Sequence, residues 1–321
     1  MLTLGIADNH DAGAALASEN GLIAAVGQER IDRVKNSGAF PWGAIDAVLF
    51  TAGARESDIE RIVVGSSFTP SFLLRLLPGF HKSTKDSSSQ FSPSLNGYIV
   101  YQSLLQRAGL AGAEVAACRA VLRRRLKARH FSEAELILMD HHTAHAEAAY
   151  RTQGRDRVLV FTLDAMGDGT SVTVSTGEGG SLERVFSQSG FAGINTYYSR
   201  VTEWLGYRPN RHEGKITGLA AAVAPPKELV EHFSKILHSK DMGFNMMPYW
   251  KRQSKDDSFY IELNRYSSEE IAAALQKNLE VEVTKFIDGW VKRLGVRDVA
   301  VAGGIFANVK LNQRIAELES V

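Results

Sequence analysis

The apolar positions along the chain form two successive series of strands and helices. In the first series, three short apolar runs are separated by turn residues, and helical segments and two further apolar strands follow them. The predicted strands cover residues 2–7, 12–17, 22–26, 61–65 and 136–139, and the predicted helices cover residues 41–52, 98–126 and 141–150. This succession predicts an α/β unit.

The second series repeats the order of the first. Strands are predicted at residues 158–163, 170–175, 182–186 and 299–302, and helices at residues 196–205, 214–223 and 268–294, with a final helix after Gly304. The repetition predicts a duplicated ribonuclease-H-like fold, as in actin, Hsp70 and sugar kinases, with mixed sheets in two lobes at residues 1–153 and 154–321. Alternation alone also permits a doubly wound fold. Residues from about 238 to 265 show no clear period, and we interpret them as an insertion near an active-site mouth or as a surface excursion.

Composition narrows the classes of protein without identifying a function. Hydrophobic residues make up 44% and charged residues 23% of the 321 residues, as in ordinary globular chains. The formal net charge of +1 provides no global field for nucleic acid or an anionic membrane. Cys118, the single cysteine, excludes an internal disulfide framework and fits a reducing compartment. With no secretory signal and no apolar window of about 18 residues, we expect a cytoplasmic protein without a membrane span.

The segment DHHTAH at residues 140–145 is the most informative one. His141 and His145 stand four residues apart, so on a helix both imidazoles lie on one face and can chelate one ion. Asp164, at the end of the strand that opens the second series, supplies a carboxylate. Two imidazoles and a carboxylate suit Fe, Zn, Mn or Mg, and spacing does not choose among these ions. Surface or packing histidines are the alternative interpretation.

Glycine-rich turns indicate where a nucleotide can approach the chain. Gly167 and Gly169 form a turn whose amides can hold phosphate. Gly303 and Gly304 end a strand and open a helical segment that contains Asn308. Because glycine has no side chain, a base or ribose can come close to the backbone there.

Three charged or polar segments have both a functional and an ordinary interpretation. Glu213 and Lys215 lie at a predicted helix start, which attracts phosphate but is also a common place for a solvated ion pair. His10 lies in an Asp-rich hairpin turn that resembles the first phosphate loop of this fold or is only a turn. Lys35 ends the run ERIDRVK, whose cations can gather a phosphate or carbamoyl oxyanion or can face solvent.

Six ordered motifs resemble the O-carbamoyltransferase family of nodulation and antibiotic-tailoring enzymes. They are LGIADNHDAGAAL, ERIDRVK with GAFPWGAI, DHHTAHAEAAY, TLDAMGDGTSVTV, YYSRVTEWLGYRPNRHEGKITGLAA and VAGGIFANVKLNQRI. Their order and spacing are similar to those of the family over nearly the whole chain. The resemblance implies a domain similar to the Kae1 tRNA-modification protein, which in the family precedes a smaller YrdC-like domain.

The resemblance further implies carbamoyl transfer to a hydroxyl group. The YrdC-like part combines carbamoyl phosphate with ATP into carbamoyl adenylate, and the Kae1-like part holds this adenylate beside a divalent metal ion, often iron. A mixed anhydride with AMP is a good leaving system, so the main work of the protein is positioning and charge stabilisation. The implied partners are carbamoyl phosphate, ATP, a small-molecule or sugar acceptor and a YrdC-like domain in cis or in trans. A homodimer is compatible with this picture, and no nucleic acid is expected.

The resemblance also assigns roles to individual residues. His141, His145 and Asp164 would be metal ligands, and Gly303, Gly304 and Asn308 would hold the adenosine, with Glu213 and Lys215 near ribose or phosphate. His10 and Lys35 would face the carbamoyl group and the acceptor. His10 is the better acceptor for the hydroxyl proton, because imidazole titrates near neutrality.

The C-terminal part departs from the family pattern. The fourth metal ligand of the family, an Asp on a later strand, and the YrdC-like domain are not among the 321 residues. We therefore expect either a partial chain or a chain whose partner activity lies on a separate YrdC-like protein, and in both cases a chain that is inactive alone. We also expect an exposed apolar patch on the final helix, at Ile305, Val309, Leu311, Ile315 and Leu318.

Three other functions stay open at this point. One is a Kae1-type threonylcarbamoyl transferase, although Ser199 stands where those proteins have an acidic residue. Another is a sugar or acetate kinase, which would not need the histidine pair. The third is a non-catalytic nucleotide-binding fragment. The acceptor and the identity of the metal do not follow from the sequence.

Overall fold

The computed structural model describes residues 1–38, 40–77, 89–131, 133–240 and 242–321. The chain divides into two compact units. One comprises Met1–Ser88 with Leu105–Ala144, and the other comprises Ser89–Leu104 with His145–Val321. The lobes predicted at residues 1–153 and 154–321 stay a prediction, and the two units differ from them in where residues 89–104 and 145–153 belong.

The first unit is built on a five-stranded sheet in the order β3-β2-β1-β4-β5. Its strands are β1 (Thr3–Ala7), β2 (Gly13–Ser18), β3 (Gly21–Gly27), β4 (Arg61–Val64) and β5 (Glu135–Leu138). The strands β1, β2 and β3 form an antiparallel meander, whereas β4 runs parallel to β1 and β5 runs parallel to β4. Alternate residues such as Leu4, Ile6 and Leu16 are buried, as the period of two in a strand requires.

The second unit contains a four-stranded sheet in the order β11-β6-β7-β8. Its strands are β6 (Val158–Gly167), β7 (Thr170–Glu178), β8 (Ser181–Ser189) and β11 (Val299–Ala302), and a separate hairpin consists of β9 (His238–Lys240) and β10 (Gly243–Asn245). The strands β6, β7 and β8 are antiparallel neighbours, and β11 runs parallel to β6. They therefore repeat the order and directions of β1, β2, β3 and β4.

Helices follow the strands in both units. In chain order they are α1 (Gln28–Asp32), α2 (Trp42–Ala52), α3 (Phe72–Leu76), α4 (Pro93–Arg107), α5 (Ala111–Lys127), α6 (His141–Thr152), α7 (Ile194–Trp204), α8 (Glu213–Leu219), α9 (Lys227–Ser234), α10 (Met247–Trp250), α11 (Ser258–Glu262), α12 (Ser268–Leu294) and α13 (Val309–Ala316). Single 3-10 turns occur at Glu56–Asp58, Gly190–Ala192, Leu263–Arg265 and Gly304–Ala307. The long helix α12 has defined ends, because Ser267 and Glu270 form a capping box and Gly295 ends the helix in the left-handed conformation.

An antiparallel meander extended by parallel strands is the topology of the ribonuclease-H-like fold, and it occurs here twice. The prediction of a duplicated α/β fold of this class with mixed sheets is therefore confirmed. A doubly wound fold is excluded, because its sheet would be mostly parallel. Within the described ranges, no helix combines the length and the apolar character that crossing a bilayer requires.

Several predicted elements differ from the structure. The helix predicted over residues 98–126 is divided into α4 and α5, and Gly109, with φ of +70°, turns the chain between them. Helix α8 ends at Leu219 rather than at residue 223. The aperiodic stretch from about 238 to 265, of which residue 241 lies outside the described residues, is not a surface excursion. It contributes the buried Phe244, Tyr249 and Tyr260 to the core of the second unit.

The apolar patch predicted on the final helix is wrong for most of its residues. Ile305, Leu311 and Ile315 are buried, and Leu318 is partly buried against the same core. Val309 alone of the five is exposed, at 75%. The physical reason is that α13 packs on α12, which covers the apolar side of the helix.

Candidate metal centre

Helix α6 begins directly at the histidine pair, and Asp140 stabilises this start. The carboxylate Oδ1 of Asp140 accepts hydrogen bonds from the backbone N–H of Thr143 (2.9 Å) and from its hydroxyl (3.0 Å). His141 is the first residue of the helix and is buried, whereas His145, one turn later, is half-buried. The spacing of four residues therefore places both imidazoles along one side of α6, as predicted.

Asp164 lies inside β6 rather than at the end of the strand. The strand continues to Gly167, but its pairing with β7 is irregular between Leu163 and Gly167. Such an irregularity redirects side chains at sheet ends and next to sites. Oδ2 of Asp164 lies 3.5 Å from Nε2 of His145, and Oδ1 accepts a hydrogen bond from the backbone N–H of Ala165 at 2.7 Å.

The structure thus brings the three predicted metal ligands together. One candidate ligand atom each from His141, His145 and Asp164 lies within 4.8 Å of the other two. Ligands about 2.1 Å from a tetrahedral ion are about 3.4 Å apart, which is close to the separation between His145 and Asp164. Among the residues that the structure describes, no other group of three or more His, Cys, Asp or Glu converges in this way. Two nitrogen donors and one oxygen donor fit Zn, Fe or Mn better than Mg, which prefers oxygen ligands.

Close packing within the protein leaves little room for a side chain at either of the two glycines after β11. Gly303 has φ of +104°, and a Cβ added there would lie 2.3 Å from the carbonyl oxygen of Leu163. A Cβ added at Gly304 would lie 2.9 Å from Nδ2 of Asn195 and 3.1 Å from Oδ1 of Asp164. The predicted nucleotide motif therefore lies directly against the candidate metal ligand Asp164.

The turn at Gly167 and Gly169 closes the β6–β7 hairpin. Gly167 pairs with Thr170, and the two residues between them, Asp168 and Gly169, both have positive φ (+50° and +75°). This is the backbone of a two-residue hairpin turn, for which Asp-Gly is a preferred sequence. The carbonyl of Gly169 accepts a hydrogen bond from the N–H of Gly190 at 2.8 Å. Its predicted contact with phosphate stays a prediction.

Glu213 is held in place by the residues before it in the chain. Its Oε1 accepts hydrogen bonds from the hydroxyl of Ser199 (2.6 Å) and from the N–H of Asn210 (2.6 Å). Lys215 is exposed, and its Nζ lies 6.0 Å from the ring centre of Tyr207. Glu213 is thus already engaged by the protein, whereas Lys215 faces solvent.

Asn308 is the N-cap of α13, and both ends of its amide are used. Its Oδ1 accepts hydrogen bonds from the N–H of Leu311 (3.1 Å) and from Nε2 of Gln276 (3.2 Å). Its Nδ2 donates to Oε1 of Gln276 at 2.8 Å. The sequence indicated a binding role for Asn308, but its partner Gln276 gave no signal, because it lies on α12 far away along the chain.

The first unit brings the loops of His10 and Lys35 together. Nδ1 of the exposed His10 lies 2.7 Å from Oδ2 of Asp11, and Oδ1 of Asp11 accepts a hydrogen bond from Nδ2 of Asn36 at 2.7 Å. Lys35 is exposed and precedes Asn36 in the chain. The link through Asp11 therefore connects the two loops that carry the predicted catalytic residues.

Asp8, in the same hairpin turn, has a structural partner that the sequence did not reveal. Its carboxylate accepts two hydrogen bonds from the guanidinium of Arg75, at 2.8 and 3.0 Å, and both side chains are 1% exposed. A buried charge of this kind requires its partner. Burial and the adjacent carboxylate act in opposite directions on the Arg75 pKa, and the net effect is an increase.

The topology and the cluster define a duplicated ribonuclease-H-like protein with a candidate site for a divalent metal ion. The family described as Carbamoyltransferase N-terminus matches residues 2–320. The chain therefore belongs to this family, whose members are carbamoyltransferases. The family resemblance that the six sequence motifs indicate is confirmed.

Individual relatives are similar over much of the chain. It is 27% identical over 316 residues to the nodulation protein NolNO of Sinorhizobium fredii, a match that covers 95% of this chain and 42% of that protein. It is 26% identical over 186 residues to the nodulation protein NolO of Bradyrhizobium diazoefficiens, covering 55% of this chain and 33% of that protein. The chain thus spans half or less of the length of these relatives. Component A of the (R)-2-hydroxyglutaryl-CoA dehydratase of Acidaminococcus fermentans aligns with a TM-score of 0.47 and 14% identity over 99% of this chain and 88% of that chain.

Proposed function

We propose that the chain takes part in carbamoyl transfer from carbamoyl adenylate, made from carbamoyl phosphate and ATP, to a hydroxyl of a small-molecule or sugar acceptor. His141, His145 and Asp164 would hold a divalent metal ion in this reaction. The observation that supports this most directly is the 3.5 Å separation between Nε2 of His145 and Oδ2 of Asp164, in a cluster with His141. Membership of the carbamoyltransferase family supports the carbamoyl chemistry independently.

A divalent ion at this position would supply Lewis-acid stabilisation of charge on a carbonyl or phosphoryl oxygen. The donor set accommodates Fe, Zn or Mn, and iron is the ion that the family resemblance favours. The role of the protein's own residues is to bind and orient the reactants, because the adenylate already contains a good leaving group. No covalent intermediate on the protein is then required.

His10 is proposed to accept the proton of the acceptor hydroxyl. Its Nδ1 lies 2.7 Å from the carboxylate of Asp11, which favours the tautomer that carries the proton on Nδ1. Nε2 is then the basic nitrogen of the ring. Lys35, on the adjacent loop, would add a positive charge for the oxyanion that develops on the carbamoyl group or phosphate.

The nucleotide is proposed to bind to glycine-rich segments of the second unit. Gly303, Gly304 and Asn308 would contact the adenosine, Gly167 and Gly169 the phosphates, and Glu213 and Lys215 the ribose or phosphate. Lys215 is exposed, so its charge is accessible to a phosphate group. A YrdC-like domain, in cis or in trans, would supply the adenylate.

The test is a reconstitution with a separately purified YrdC-like domain. The chain is incubated with that domain, carbamoyl phosphate, ATP and a panel of sugars and aminoglycosides, and AMP release and carbamoylated acceptor are measured. Product is expected only when both proteins are present, and His145→Ala should lose it. His130→Asn is the matched control, since His130 is exposed and lies outside the cluster.

Three results would contradict parts of this proposal. Robust product from the chain alone would show that it needs no YrdC-like domain. Unchanged activity of His145→Ala would show that the reaction does not require a metal ion at this site. Transfer of threonylcarbamoyl from its adenylate to tRNA, with no carbamoylation of hydroxyl acceptors, would favour the Kae1-type reaction instead.

A further inference from the structure

Asn195, in the first turn of α7, lies beside Asp164, and one of the two polar atoms of its side-chain amide contacts the Asp164 carboxylate. Its Nδ2 donates a hydrogen bond to Oδ1 of Asp164 at 3.4 Å. Its Oδ1 is buried and has no hydrogen-bond partner among the residues that the structure describes. Burying an amide oxygen without a partner is unfavourable, so this placement does not arise from fold stability alone.

The two oxygens of Asp164 have different surroundings. Oδ1 accepts hydrogen bonds from the backbone N–H of Ala165 (2.7 Å) and from Asn195 (3.4 Å). Oδ2 lies 3.5 Å from Nε2 of His145. Two donors on one oxygen restrict rotation of the carboxylate about its terminal bond. The contact from Asn195 therefore selects the oxygen that faces the histidine.

Two glycines allow the segment around Asn195 to approach β6 closely. A Cβ added at Gly193, the N-cap of α7, would lie 2.3 Å from the carbonyl oxygen of Ala165. A Cβ added at Gly304 would lie 2.9 Å from Nδ2 of Asn195. Any larger residue at either position would separate Asn195 from Asp164. The close packing at Gly193 and Gly304 therefore allows the contact between Asn195 and Asp164 and leaves little room for other positions of the Asn195 side chain.

We propose that Asn195 is a positioning residue for the metal site. It holds Asp164 with Oδ2 toward the ion, and its own Oδ1 accepts a hydrogen bond from a water molecule or ligand bound there. Hydrogen-bond partners of metal ligands fix ligand orientation and strongly influence metal affinity. The inference rests on the proposed metal-binding role of His141, His145 and Asp164.

The test measures binding of Co²⁺ to the full chain by titration and by visible absorption, which reports the ligand field. Asn195→Ala is expected to bind Co²⁺ about 10–100-fold more weakly and to shift the absorption. Asn312→Ala is the matched control, because Nδ2 of Asn312 donates to the carbonyl of Phe306 at 2.8 Å and its Oδ1 is also buried without a partner among the described residues. This control should leave both readouts unchanged.

Two further variants keep the test decisive. Asn195→Ser retains a polar side chain that is too short to reach Asp164. It should show the same loss of Co²⁺ affinity that is expected of Asn195→Ala, and it replaces that variant in the test if Asn195→Ala does not fold. In an Asp164→Ala background, Asn195→Ala should weaken Co²⁺ binding much less than it does in the wild-type background, because most of its effect passes through Asp164.

The outcomes separate this inference from the metal site itself. If Asp164→Ala loses affinity while Asn195→Ala and Asn195→Ser bind Co²⁺ with wild-type affinity and absorption, the positioning role is overturned and the metal site stands. If the wild-type chain does not bind Co²⁺ at all, the metal site and this inference are both overturned.

Discussion

Alanine at Gly303 and alanine at Gly304 should have different consequences, although the two residues are adjacent. At Gly303, φ is +104° and an added Cβ would lie 2.3 Å from the backbone oxygen of Leu163 in β6. The backbone conformation costs about 1–3 kcal/mol for a residue with a side chain. Overpacking against a strand that cannot move adds about 1–3 kcal/mol. Gly303→Ala should therefore lower the free energy of unfolding by about 2–6 kcal/mol.

At Gly304 the added carbon would meet the ends of two side chains instead. The distances are 2.9 Å to Nδ2 of Asn195 and 3.1 Å to Oδ1 of Asp164. Rotation of either side chain about its χ angles can move these atoms away by a few tenths of an ångström, at a cost of about 0.5–1.5 kcal/mol. The rotation moves the candidate ligand Asp164. Gly304→Ala should therefore remain folded and lose metal affinity by about 10–100-fold.

The two variants are compared with the wild type in the same pair of experiments. Urea unfolding followed by tryptophan fluorescence gives the stability, and Co²⁺ titration of the folded chains gives the metal affinity. Equal loss of stability in both variants would refute the steric argument. Wild-type affinity in Gly304→Ala would refute the claim that this glycine makes room for Asp164.

Three further predictions concern residues away from the metal cluster. Arg200→Met should lower the unfolding free energy by about 1–3 kcal/mol, because the buried carbonyl of Gln90 loses its donor; unchanged urea stability would contradict this. Asn308→Ala should cost about 0.5–2 kcal/mol, whereas Asn308→Ser keeps the cap, and equal stabilities would argue against capping. Burial raises the pKa of the Cys118 thiol from 9.0 to about 11, so unfolded chains ionise first and stability should fall as pH rises above 9. Cys118→Ala should weaken that fall, and an identical pH dependence would contradict the assignment.

Local periodicity predicts most of the strands and helices, and the repeated order of these elements predicts the fold. The three-strand meanders and the buried later strands have short, regular patterns, and the repetition of the series identified the duplication. The break between α4 and α5 was missed because helical periodicity continues through Gly109, whose positive φ is a property of the folded chain. The exposed patch on α13 was wrong because a sequence pattern identifies an apolar side of a helix but not the element that covers it.

The candidate site shows a similar division between local and tertiary information. The spacing of His141 and His145 places them on one side of α6, so the pair could be predicted without any knowledge of the rest of the chain. Asn195 could not be predicted, because its only relation to Asp164 is spatial. The buried pair of Asp8 and Arg75 is separated by 67 positions in the chain and likewise left no local signal.

The glycine pair after β11 connects the metal proposal with the nucleotide proposal. From the sequence, two glycines at a strand end indicate room for a base or ribose. In the structure, Gly303 packs on Leu163 and Gly304 packs on Asp164, so consecutive residues of the pair meet consecutive residues of β6. The position of the turn and the position of the carboxylate are therefore determined together. If a nucleotide binds at this turn, nucleotide binding and metal binding should be energetically coupled through Asp164. The factor by which the nucleotide changes the metal affinity should then equal the factor by which the metal changes the nucleotide affinity.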